Sequence, residues 1–209
     1  MTVNHASELE ALAEAFLGQP EPGRLGALRR WLETFDTSVF DLIGLFAMFS
    51  RTPPNRPVRR PDSASPPLPG QPDAARASWH TLEMFDTPHA AVKLFLVPAQ
   101  SNIPIHDHPG MTVLMRVLIG RARITAWDWM DENLASVCFD REVKAGDPIY
   151  VTTPDAGNLH AIRAVTDFAF VDLLVPPYAP AQGRACRIYS GSPTGQSGQW
   201  QFRLSDIYA

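Results

Sequence analysis

Two histidines in the stretch IPIHDHPGM, His106 and His108, stand two residues apart. In an extended strand alternate side chains share a face, so both imidazoles can reach one cation without backbone strain. A third histidine, His160, follows in PDAGNLHAI, again among apolar residues. Three neutral imidazoles suit a borderline divalent ion such as Fe(II), Zn or Ni, whereas Mg and Ca want oxygen donors. By type and spacing alone, an HxH pair fits a polar loop with two solvated histidines equally well. The neighbours decide.

After His108 comes the apolar run TVLMRVLI, closed by Gly120, and further on Pro154-Asp-Ala-Gly157-Asn-Leu-His160. That order resembles the two motifs of the cupin superfamily, small double-stranded β-barrels with a metal in the mouth. Most cupins carry a glutamate ligand five positions after the second histidine; here that position is Val113, which cannot bind metal. Three histidines without the carboxylate resemble the thiol dioxygenase branch. The phrases IPIHDHPGMTVLMRVLIGRARI, GNLHAI, VDLLVPPY and GRAC resemble the cysteamine dioxygenase and plant cysteine oxidase family over about residues 78–189. The chain departs from the family's Cys-x-Tyr-Tyr ending, reading Cys186-Arg187-Ile188-Tyr189, and Ile188 has no hydroxyl.

The resemblance implies iron(II) on His106, His108 and His160. A site without a protein anion keeps the full charge of the ion and favours an anionic substrate ligand, a thiolate above all. Zinc would satisfy the ligands but is redox-silent and cannot activate dioxygen. Asp172 is the next candidate. It interrupts the apolar run FAFVDLLV and shares a face with Phe168, Phe170 and Leu174. A buried carboxylate is costly unless paired or hydrogen-bonded, so it serves either to orient a metal-bound histidine or a loop, or to hold a substrate amine or a metal-bound water. The resemblance points it at the metal pocket as a catalytic residue, with Tyr178 of the same D-x-x-x-PPY phrase as a pocket hydroxyl.

These residues need elements to position them. Residues 1–50 read as a helical segment. Leu9, Leu12, Ala13 and Phe16 fall on one face, and Ser7 with Glu10 has the form of a capping box. GRLGALRRWLETF and SVFDLIGLFAMF continue the pattern. Residues 51–77 read as a Pro/Arg-rich linker or long loop; residues 51–76 alone hold eight of the 20 prolines. Residues 78–209 turn to short strands broken by Gly120, Ala145-Gly146-Asp147-Pro148 and Pro154 to Gly157, an all-β sandwich or barrel. The resemblance makes it a mainly β, jelly-roll-type cupin barrel with an N-terminal helical extension.

Composition narrows the function. A net charge of −4 gives no footprint for nucleic acid. The longest apolar patch, residues 39–49, is interrupted by Asp41 and too short to span a membrane. Cys138 and Cys186 cannot make a disulfide scaffold, and MTVNHASELEALAEAFLG lacks the basic region of a secretory leader. A monomer in the cytosol, with nuclear access, is the expectation. The reading is an iron(II)-dependent dioxygenase that converts a thiol-amine to its sulfinic acid with O2. The resemblance offers cysteamine or the N-terminal cysteine of a protein or peptide as substrate, the latter making the enzyme an oxygen sensor that feeds an N-degron pathway. Two other classes compete: a non-catalytic cupin with a structural or ligand-binding Zn or Ni site, and a protein-interaction module.

Overall fold

A computed structural model describes residues 3–38, 40–49 and 79–205; the Pro/Arg-rich segment lies outside them. Two β-sheets face one another and three helices cover the back of one. The first sheet has five strands in the order β1 (His80–Asp86), β2 (Ala91–Val97), β9 (Phe168–Val175), β4 (Thr112–Ile119) and β7 (Tyr150–Thr152). The second has six, in the order β10 (Tyr189–Pro193), β11 (Gln199–Leu204), β6 (Leu134–Lys144), β5 (Arg121–Asp131), β8 (Leu159–Ala164) and β3 (Asn102–His106). Every pairing is antiparallel. This is the jelly-roll barrel of the cupins, closed below by Val97, Met115, Phe168 and Phe170 from one sheet against Ile103, Ile124 and Ile162 from the other.

Strand patterns follow from what each face meets. In β5, Arg121 and Arg123 face water while Ala122 and Ile124 point into the barrel. In β9 all eight residues are buried, and the alternation disappears. Phe168 and Phe170 fill the barrel, and Ala169, Val171, Leu173 and Val175 turn to the helices. Gly120 makes the β4–β5 turn at φ 78°, where a Cβ would collide with the Asp167 carbonyl.

The helices are α1 (Val3–Gly18), α2 (Pro22–Thr34) and α3 (Leu42–Phe49). Leu9, Ala13 and Phe16, then Leu28, Trp31 and Leu32, bury their faces against β2 and β9. Two polar contacts fasten this layer. Arg116 of β4 donates to the Leu32 and Phe35 carbonyls at 2.9 and 2.8 Å, satisfying acceptors that the end of α2 leaves open. Glu10 of α1 meets His89 Nδ1 at 2.6 Å on the β1–β2 turn. The expected capping box does not form: helix α1 begins at Val3, so Ser7 lies inside it and Glu10 is spent on His89.

Candidate metal centre

His106 reaches the barrel interior through an irregularity in the register. On β8, Ile162 and His160 are two apart and share a face; their partners on β3, Ile103 and His106, are three apart. The extra residue is a β-bulge at the sheet edge, and it turns His106 to the face that Ile103 already occupies. Pro104, within the bulge, has no N–H to leave unpaired. Its carbonyl accepts from His106 Nδ1 at 2.8 Å, which leaves Nε2 with a free lone pair.

His108 is not on the strand, contrary to the extended HxH expectation; β3 ends at His106. It sits in the following loop, held at both backbone groups by one side chain. Asn158 Oδ1 accepts from His108 N at 3.0 Å, and Asn158 Nδ2 donates to His108 O at 2.8 Å. The ring is fixed by Tyr178, which stacks on it at 5.5 Å and places its hydroxyl 2.6 Å from Nδ1. Tyr178 donates its own proton to the Asp107 carbonyl at 3.1 Å, so it accepts from His108 Nδ1–H. That tautomer also frees Nε2.

His160 stands on β8 beside His106, and the three ligand nitrogens lie within 4.8 Å of one another. All three residues are buried. Burial lowers the His106 pKa and pushes those of His108 and His160 well below the ordinary histidine value, with repulsion between the rings adding to it. They are neutral at pH 7. The Nε2 atoms of His108 and His160 stand 3.4 Å apart. His160 Nδ1 has no partner to fix its tautomer, and a cation between the two Nε2 atoms would take a lone pair from each. The donor set fits one borderline metal ion.

The opposite wall is the inner face of the five-stranded sheet. Val113 sits there with Ala91, Met111 and Leu174 against Tyr178, an apolar patch where other cupins carry a carboxylate. One row deeper, Asp172 lies in register with Lys93 on β2 and Met115 on β4. It is 4% exposed, its Oδ1 has no hydrogen-bond partner, and burial pushes its pKa well above the usual carboxylate value.

Sequence reasoning passed over three supports of this centre. Asn158 pins the loop. Asp107, between the two ligand histidines, is 1% exposed, and its carboxylate accepts from Arg187 Nε at 2.8 Å, Arg187 N at 3.0 Å and Tyr189 Oη at 2.9 Å. Asp128 accepts from Gly157 N at 2.6 Å and sets the turn that leads to His160. Asp107 and Asn158 stand within two residues of a ligand histidine, which was their signal, whereas Asp128 lies far from all three along the chain. His80 and His89 stay outside the centre: His80 is buried within β1, and His89 meets Glu10. Arg184 donates to the Pro177 carbonyl. Cys186 is exposed.

Fold and site together define a three-histidine cupin. The PCO_ADO family matches residues 71–206, and the chain belongs to that family. It is 30% identical over 154 residues to plant cysteine oxidase 1 of Arabidopsis thaliana, covering 67% of this chain and 49% of that one. Plant cysteine oxidase 2 of the same organism is 34% identical over 112 residues, covering 49% and 41%. The 2-aminoethanethiol dioxygenase of Mus musculus is 31% identical over 134 residues, covering 52% of each chain. The chain thus spans about half the length of the relatives it matches.

Proposed function

We propose that the protein is an iron(II)-dependent thiol dioxygenase acting on a thiol-amine, either an N-terminal cysteine or cysteamine. The observation that carries this reading is the pairing of three neutral, converging imidazoles with a buried carboxylate on the facing wall whose Oδ1 has no partner. Bound iron would supply thiolate coordination and the redox chemistry that dioxygen requires. Protein side chains do the rest. Tyr178 and the Pro104 carbonyl hold His108 and His106 in the tautomers that expose Nε2. Asp172, whose pKa burial raises, pairs with the substrate ammonium as a carboxylate, and the proton it gives up passes to solvent. Val113, Met111 and Leu174 keep water from the thiol end. The names of the relatives, cysteine oxidase and 2-aminoethanethiol dioxygenase, support both substrate types.

The overall reaction is RSH + O2 → RSO2H, with both oxygen atoms drawn from dioxygen. Aerobic incubation of the iron-loaded protein with cysteamine and with a Cys-initiated peptide, under labelled dioxygen, should give a product carrying two labelled oxygens on sulfur. Disulfide as the sole product, or oxygen drawn from water, would overturn the assignment. His106→Ala, His108→Ala and His160→Ala should each lose most of the iron, whereas His80→Ala should keep it.

A further inference from the structure

One charge on the barrel's inner wall has no task in this chemistry. Lys93 stands in register with Asp172 on one side and with Glu83 on the other, so the three share a face. That face is the interior. The next row down pairs Phe95 with Phe170, rings stacked 4.8 Å apart, and the next row up pairs Ala91 with Leu174. Among the strand residues described on that face, Lys93 is the one cation. A lysine there neither fills the core nor solvates the outer surface.

Its ammonium turns away from Asp172. Lys93 Nζ lies 3.3 Å from Glu83 Oε2 on the edge strand, with the lysine side chain 27% exposed and the glutamate 53%. Glu83 therefore keeps Lys93 from neutralising Asp172, whose Oδ1 remains unpartnered. An ammonium has three donors, and Glu83 takes one. Adjacent strands stand about 4.8 Å apart. An α-amino acid unit with its ammonium at Asp172 brings its acyl oxygen towards β2, where the Lys93 ammonium meets it by turning back from Glu83.

We propose that Lys93 is a specificity-determining residue, donating to an acyl oxygen on the carbon that bears the substrate's amine. The protein would then prefer a cysteine unit to cysteamine, which carries only hydrogen at that place. This deepens the thiol-amine reading and rests on it. The acyl oxygen belongs to a carboxylate in free cysteine and to a carbonyl in a peptide.

The test compares the full-length wild type with Lys93→Met, iron-loaded, against L-cysteine, a Cys-Gly dipeptide and cysteamine. Affinities are read by calorimetry without dioxygen and turnover is read aerobically. The wild type should bind the acyl-bearing thiols about tenfold tighter than cysteamine, the scale of one charge-assisted hydrogen bond. Lys93→Met should bring that ratio close to one while leaving cysteamine within about twofold. A larger loss for L-cysteine identifies the carboxylate as the natural contact, and equal losses for the two identify the carbonyl. An unchanged ratio, or equal weakening of all three thiols, would overturn the proposal and leave the Lys93–Glu83 pair as a clamp on the edge strand. Binding is read separately from turnover, so a protein that binds these thiols but oxidises none would sink the dioxygenase reading without touching the Lys93 result.

Discussion

At the scale of single residues, Asp172 carries the sharpest predictions. Asp172→Asn keeps the shape of the pocket and removes the charge that would hold the substrate amine. Iron content should stay near normal, with turnover lower by roughly 10²-fold or more. The same substitution reports on stability. Burial raises the folded-state pKa of Asp172 above its ordinary 3.8, so the folded protein resists ionisation that the unfolded chain accepts. Stability from this group is full below pH 3.8 and is lost as pH rises towards the folded pKa. Asp172→Asn escapes that loss, and its advantage in thermal unfolding over the wild type should grow as pH rises from about 4. A constant difference across pH would mean that the carboxylate is ionised in the native pocket. Tyr178→Phe keeps the ring on His108 but removes the acceptor for Nδ1–H; iron affinity should fall by about tenfold in a metal titration. The three histidines were legible from their motifs and the resemblance these carry, and Asp172 stood out as a lone acid in an apolar run. Asn158 was less so, since an asparagine that pins a loop looks like any turn residue until its partner, 50 residues away, is known.

At the scale of elements, the centre depends on how β3 ends. Parity along a regular strand would send Ile103 and His106 to opposite faces, and the bulge reverses that. Pro104 hinted at it, because a proline in a strand belongs to an edge or a bulge. The position of the extra residue could not be read, since it depends on the pairing with β8. The segment after Cys186 explains what fixes the loop beyond the bulge. Arg187 and Tyr189 both converge on the Asp107 carboxylate, and His106 forms a bridge with Ile188. Asp107→Asn should loosen this clamp. Since Arg187 is half exposed, the expected cost is about 1–2 kcal/mol in denaturant unfolding rather than the larger figure for a fully buried pair. The loss should bring weaker iron binding with it. Helix α1 shows the opposite failure of reading: a Ser7-Glu10 pattern with the right spacing was overridden by a tertiary contact to His89.

At the scale of the whole molecule, the helical layer and the metal pocket lean on opposite sides of β9. Leu28 of α2 is fully buried in that layer. Leu28→Ala should cost about 2–5 kcal/mol, measured by denaturant unfolding, and leave the three histidines of the metal centre in place. The helices and the presence of short strands followed from periodicity and turn residues; the order of strands and the placement of one layer on the other did not, because apolar stripes do not name their partners. One consequence concerns which changes the chain can accept. A strand with one wet side forgives every second substitution, and β5 should show that rhythm, tolerant at Arg121 and Arg123 and strict at Ala122 and Ile124. In β9 there is no forgiving side. If every position were replaced in turn and survivors counted by abundance, β5 would appear as stripes and β9 as one unbroken dark bar, its odd positions guarding the joint to the helices and its even positions guarding the chamber.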